Sequence, residues 1–430
     1  MGGMLETIRN AWKIPDLRKK MLFTILMLLV HRIGTHIPVP GLDADEFARL
    51  VSSGGQLFGY IDIISGGAFK SASIFAMSIT PYINSSIIMQ LLTVAIPKLE
   101  QLAKEGEEGR KLIAQYTRYV AVLLGFLQAT GLYFGLSKAI IGGRSVFNYI
   151  TITLTFTAGT AFLMWLGEQI TEKGVGNGIS LIIFAGIVSR GPQAVVILAN
   201  YYTAGMLGNG ILGILAIIAL VALFIVIMAA VIWVNEAERR IPVQYAKRVV
   251  GRKVYGGQNT HIPIKVNMAG VIPIIFAVSI TSLPSTLIAF FAPNSTNRVV
   301  LWFKNMQQGI GFALINAVLI MFFTFFYTVI QFNPVEIANN MKKNGGFIPG
   351  IRPGKPTADY IAKVLNRLTW FGGLFLALIN TFPTIFGAIF KIHGIWFGGT
   401  SLLILVGVAL DTVKQIESQM IMRHYKGFLE

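Results

Sequence analysis

Leu57-Phe58-Gly59-Tyr60-Ile61-Asp62-Ile63-Ile64 is apolar enough to lie at membrane depth, yet it carries Asp62 and breaks at Ser65-Gly66-Gly67. It is also too short to cross, because a hydrocarbon core about 30 Å thick needs roughly 20 helical residues. Short or irregular backbone at that depth is tolerated only where protein or water surrounds it. The segment therefore points to a membrane protein that encloses a hollow, with something short seated in it. A full-length span is expected to follow from Ser73.

The rest of the chain agrees. Hydrophobic residues make up 54% of the 430 and charged ones 13%, with a mean hydropathy of +0.66; an average soluble domain is about a quarter charged. Apolar stretches lie near 22–38, 73–96, 116–136, 150–167, 179–199, 211–234, 269–291, 309–332, 368–390 and 395–412, giving ten expected spans. The first and last are marginal. Arg18-Lys19-Lys20 ahead of Met21 to Val30 has the charge pattern of a signal peptide. His31-Arg32-Ile33-Gly34 follows in place of a small-residue cleavage site, so the first span is read as retained.

Ten spans put both termini on one side. Most of the 36 lysines and arginines fall at the termini and after even-numbered spans, so the positive-inside rule makes both termini cytoplasmic. The net charge of +17 is mainly this topological bias, with anionic lipid or an anionic partner as its further use. The lack of cysteine says nothing firm about redox compartment.

Two cytoplasmic segments, 235–266 and 333–366, far exceed the usual connection of about four to six residues. The first carries Arg239, Arg240, Lys247, Arg248, Arg252 and Lys253 among apolar residues and ends at Gly256-Gly257, which suggests a projecting hairpin closed by that turn. The second sets Arg352 between Pro349-Gly350 and Pro353-Gly354, a rigid tip bearing a cation. Topology-setting charge alone needs neither length nor rigid turns, so both read as a docking surface for a cytosolic, partly anionic partner.

Spans one to five and six to ten imply an inverted repeat, with halves 1–200 and 211–430 joined by an external hinge at 201–210 that contains Gly205, Gly208 and Gly210. No phosphate-binding, zinc-protease or serine-hydrolase motif is present, and no enzyme activity, cofactor or metal is expected. His31 and His36 read as interface residues rather than metal ligands. Glu168, Glu236, Glu336 and Asp411 sit at predicted cytoplasmic ends, which counts against an ion-coupled transporter. Arg190, before Gly191-Pro192, is the one awkward case: its side chain is long enough to snorkel outward, and the sequence leaves its role open. Uncharged polar residues cluster instead around Pro81 in the middle of span two, and in spans three and seven. They serve either helix packing or a seam that parts and wets. Ile79 and Ile83, and Ile179 and Ile183, share helical faces at i, i+4. Such pairs are ordinary core contacts, unless several helices surround one hole and make them a dewetting constriction.

Several motifs together resemble the SecY/Sec61-alpha family of channel-forming translocase subunits. They are Ala72 to Ile83 (ASIFAMSITPYI) running into Ile87 to Leu92, Trp165 to Thr171 with Gly174 to Ser180, Asn267 to Pro273, Phe347 to Pro353, and Phe397 to Ile404. Ser78 departs from the family's usual glycine. The resemblance implies an all-α polytopic fold, with ten transmembrane helices in two inverted halves around an hourglass pore. It implies a plug at Phe58, Tyr60, Ile61, Asp62, Ile63 and Ile64, and a pore ring of Ile79, Ile83, Ile179, Ile183, Ile275 and Ile404. A lateral gate between spans two and three and spans seven and eight would involve Asn84, Ser85, Gln90, Gln128, Ser279 and Ser282. It further implies passage of unfolded secretory polypeptides across the cytoplasmic membrane and sideways release of hydrophobic segments. The implied partners are SecE, SecG, the motor ATPase SecA, the ribosome with its RNA, and the bilayer; Arg352 and the 235–266 loop would dock the motor and the ribosome. The competing reading is a small-solute secondary transporter with broken helices, which needs a polar midplane site that the sequence does not display.

Overall fold

The computed structural model describes residues 4–53, 62, 65–135, 137–205, 210–245, 248–250, 253–255, 259–291, 310–390 and 399–426. The chain opens with helices α1 (Met4–Lys13), α2 (Pro15–Gly34) and α3 (Ala44–Ser53). After a turn-rich stretch come α4 (Thr80–Ala95), α5 (Pro97–Lys104), α6 (Glu107–Gly135), α7 (Val146–Lys173), α8 (Gly178–Ser189) and α9 (Gly191–Thr203). The second half holds α10 (Ile211–Glu236), strands β1 (Glu238–Tyr245), β2 (Arg248–Val250), β3 (Lys253–Tyr255) and β4 (Asn259–Lys265), then α11 (Ile272–Phe291) and α12 (Ile310–Gln331). It closes with α13 (Pro334–Lys343), β5 (Gly346–Phe347), α14 (Lys355–Phe390) and α15 (Gly399–Lys426).

Each of the ten apolar stretches contains helix. Among the described residues, 6 helices are long and apolar enough to cross a membrane. The most hydropathic, Ile211–Glu236, has only 6% of its apolar window buried. Its side chains face outward, as lipid-facing ones do.

The second span differs from expectation. It does not run as helix from Ser73; helix begins at Thr80, and Pro81 sits in its first turn rather than mid-span. Proline lacks an N–H and its ring collides with the carbonyl four residues back, so a helix starts at Pro81 instead of running through it. Residues 65–79 form successive tight turns. The N–H of Ala72 bonds to the Phe69 carbonyl at 3.1 Å, that of Ala76 to Ser73 at 2.9 Å and that of Ser78 to Phe75 at 2.8 Å. Ala68, Phe69, Ala72, Ser73, Phe75, Ala76, Met77, Ser78 and Ile79 are buried. Irregular backbone is thus wrapped in protein, where its polar groups find partners. Ala72 and Ser78 take φ of 46° and 53°. Left-handed backbone costs a non-glycine residue about 1 kcal/mol, so the family's glycine at position 78 has a conformational reason.

The two long segments also depart from the simple picture. Their strands join: β1 pairs antiparallel with β4 along its length and with β5 through Gln244 and Phe347, giving the order β4-β1-β5. Alternate β1 residues point to opposite faces. Ile241 and Val243 are buried with Ile264, Met341, Ile348, Ile361 and Leu365, whereas Arg240 and Pro242 on the opposite face are exposed, as is Arg239 near the start of the strand. Val250 pairs with Lys253 across the β2–β3 hairpin, and Gly256-Gly257, expected to close the projection, lies outside the described residues. The second segment is largely helical, because Asn333 caps α13 by accepting from the N–H groups of Val335 and Glu336.

The halves meet at several places. α8 and α1 pack on α15, and α6 packs on α11. The Thr7 hydroxyl donates to Glu417 at 3.0 Å.

Candidate functional site

All six isoleucines expected at one level converge. Ile79, Ile183 and Ile404 are buried in one apolar cluster, and Ile83, Ile179 and Ile275 pack against it half-buried. They come from the entry of α4, from α8, from α11 and from α15, and hence from both halves. Asn177 caps α8 by accepting from the Ser180 N–H at 3.1 Å. That cap fixes where Ile179 and Ile183, one turn apart, leave the helix.

Beside this cluster sits an ionic tie. Asp62 and Arg190 form an ion pair with side chains only 10% and 13% exposed. Arg190 Nη2 also donates to the Asp62 carbonyl at 3.3 Å, and the Lys70 N–H donates to the Asp62 carboxylate at 2.8 Å. Arg32 Nη1 donates to the Gly66 carbonyl at 3.1 Å. At Gly66 (φ 65°) a side chain would meet the backbone of Gly186 on α8 at 2.7 Å, so the turn lies backbone on backbone against that helix. Arg190 therefore does not snorkel outward. Gly191-Pro192 ends α8 and starts α9, which turns Arg190 onto Asp62. The sequence offered the signal as two opposite charges inside apolar stretches, since charges at such depth pair. Phe58, Tyr60, Ile61, Ile63 and Ile64 lie outside the described residues.

The expected gate residues separate. The Ser85 hydroxyl donates to the Thr117 carbonyl at 2.5 Å and ties α4 to α6 within one half. Gln90 is exposed and bonds Ser86 at 3.4 Å, whereas Asn84 keeps a buried side-chain oxygen without a partner. Gln128 and Ser279 are half-buried on α6 and α11, and the side chain of Ser282 is not among those described. α6 and α11 do pack together, one from each half. Ile83 and Ile87 of α4 join the cluster that holds Ile274, Phe276 and Ala277 of α11.

Of the expected docking cations, Arg239, Arg240 and Arg352 are exposed. Arg240 pairs with its neighbour Glu238 at 2.6 Å. Arg248 and Lys253 lie on the β2–β3 hairpin, and Lys247 and Arg252 are outside the described residues. Joining β5 to β1 sets Arg352 on the same module as the first loop, a link that sequence reading missed because paired residues as distant in the chain as Gln244 and Phe347 leave no local mark.

Comparison with known proteins agrees with this arrangement. The family model SecY matches residues 73–413. The protein translocase subunit SecY of Halalkalibacterium halodurans is 49% identical over 99% of this chain and 100% of its own length. That of Streptomyces galbus is 48% identical over the same shares. Among solved structures, one described as the structure of a protein conducting channel covers 96% of this chain and 97% of its own, with a TM-score of 0.61 at 18% identity. Sec61 in the canine ribosome-channel complex covers the same shares with a TM-score of 0.56 at 16% identity. The last two likenesses are of fold. The identity over the full length of the curated relatives goes further: this chain belongs to the SecY family of protein-conducting channels.

Proposed function

We propose that unfolded secretory polypeptides pass between the two halves of this chain, through the level of Ile79, Ile83, Ile179, Ile183, Ile275 and Ile404, and that transmembrane segments leave sideways between α4 and α6 on one side and α11 and α12 on the other. The observation that carries this reading is the convergence of those six side chains from both halves in one apolar cluster. Aliphatic side chains mould around a passing chain without selecting its sequence, and an apolar constriction dewets when empty. The turn-rich root at 65–79 and the Asp62–Arg190 tie then anchor the plug below the ring.

A hydrophobic signal segment opens the gate only by binding the open state better than the closed one. The chain has no nucleotide-binding motif, so the driving force comes from a partner: SecA, or the ribosome, docked on the β4-β1-β5 module with Arg352 and the basic β1–β4 segment. Ribosome-bound Sec61 among the similar folds supports the ribosome as one such partner. SecE and SecG complete the membrane complex, which sits in the cytoplasmic membrane with both termini inside. Residues 1–200 and 211–430 form the halves, hinged at 201–210.

Proteoliposomes holding this chain with SecE and SecG test the reading. With SecA and ATP they are expected to protect a secretory precursor from external protease, and Arg352→Glu is expected to abolish most of that protection while leaving the complex assembled. Unchanged translocation by Arg352→Glu would remove the docking assignment. ATP hydrolysis by the complex without SecA would contradict the partner-driven mechanism.

A further inference from the structure

Next to the Asp62–Arg190 tie is a cavity of about 170 Å³ lined by Arg32, His36, Gly66, Gly67, Lys70 and Arg190, among others. None of its lining residues is acidic. The local acceptors are already engaged. The Gly66 carbonyl accepts from Arg32 at 3.1 Å and from the Ser189 hydroxyl at 3.3 Å, and the Asp62 carbonyl accepts from the Gly67 N–H at 2.9 Å and from Arg190. Donors are left over. Arg190 Nε is buried with no partner, and among the described residues no carboxylate pairs with Arg32 or Lys70. Three permanent cations thus meet one carboxylate, Asp62, and that carboxylate is turned away to Arg190 and the Lys70 N–H.

The surroundings say what arrives. Leu22, Leu26, Leu29 and Ile33 are exposed along one face of α2, at helical spacing. The stripe ends one residue beyond Arg32, and exposed Ile37 follows it. An apolar track leading to a cationic hollow matches a molecule with acyl chains and an anionic head.

We propose that this cavity binds a phosphate oxyanion, either the headgroup of an anionic lipid whose chains lie along α2 or free phosphate. Its charge offsets the repulsion between Arg32, which holds Gly66, and Arg190, which holds Asp62, so an occupied cavity keeps the 65–67 turn docked on α8. The site goes beyond the channel reading, and its occupancy is measurable whether or not polypeptide is moving.

The test uses the complete SecE-containing complex in nanodiscs of phosphatidylcholine alone or with phosphatidylglycerol. Retained lipid is read by native mass spectrometry, and radiolabelled inorganic phosphate by equilibrium dialysis. Arg32→Gln with Lys70→Gln is expected to weaken binding about ten-fold or more, as loss of charge-assisted hydrogen bonds does. Arg32→Lys with Lys70→Arg keeps the charge and is expected to retain binding, and the exposed Lys138→Gln, outside the cavity, is expected to leave it unchanged. Loss confined to phosphatidylglycerol identifies a lipid headgroup as the ligand; loss confined to inorganic phosphate identifies the free ion. Equal binding of both probes by wild type and the double variant, or binding by neither, overturns the site.

Discussion

Two neighbouring regions hold the same channel in opposite ways. The isoleucine cluster is apolar, draws on both halves and has no directional bond in it. Asp62 and the 65–67 turn are held by an ion pair, by charge-assisted hydrogen bonds and by backbone packed on backbone, from α2, α8 and Arg190 at the end of α8, all of a single half. Apolar contact is non-directional and scales with area, so the cluster can open and re-form around varied chains. A buried ion pair is directional, and loses several kcal/mol once either partner is gone. On the function proposed above, this difference is a division of labour in which the ring adapts and the tie fixes where the plug returns.

Breaking the tie should have the largest effect. Arg190→Gln leaves Asp62 buried without its partner, a loss of about 3 kcal/mol, or roughly a hundred-fold in the seated-to-displaced ratio. The expected outcome is raised ion conductance across planar bilayers holding the idle complex. The exchanged pair Asp62→Arg with Arg190→Asp should recover part of the seal. Equal conductance in Arg190→Gln and wild type would show that the tie does not seat the plug.

Thinning the ring comes next. Ile79→Ala and Ile183→Ala each remove buried aliphatic volume and should each cost roughly 2 kcal/mol. Because the two side chains share a cluster, their effects are expected to depart from additivity. Leak measured in both singles and the double checks this, and strictly additive leak would mean that the two side chains do not share a constriction.

The smallest effect belongs to the turn that links the regions. Ser78→Gly frees a residue with φ of 53° from left-handed strain and should stabilise the complex by up to about 1 kcal/mol. A small rise in the melting temperature of purified complex is the expected reading. A fall would mean that the Ser78 side chain contributes more than its backbone strain removes.

How far the sequence reveals this fold depends on whether the deciding interaction is local. Hydropathy places helix in each of the ten apolar stretches, since span length and composition are local properties. Pro81 is visible in the sequence, yet proline inside an apolar stretch permits either a kinked helix or a fresh start; only the buried turns before Thr80 decide it. The i, i+4 isoleucine pairs are legible as faces, whereas their meeting with Ile275 and Ile404 depends on how two halves pack. Arg190 and Asp62 were each conspicuous as charges. Their pairing was hidden by a separation of 128 positions. Ser85 shows the converse case, because polarity marks it in the sequence without revealing that its hydroxyl bonds to the Thr117 carbonyl and ties α4 to α6.

The central claim is that polypeptide passes at the level of the six isoleucines, and the absence of cysteine from this chain gives it a direct test. A single cysteine in place of Ile183 is paired with a secretory chain carrying one cysteine and stalled during translocation, and a disulfide between them is sought. The account predicts a crosslink that forms only while the stalled chain is engaged, and likewise from Ile83 and Ile275. Silence at all three positions, with the precursor shown to be stalled across the membrane, would contradict it.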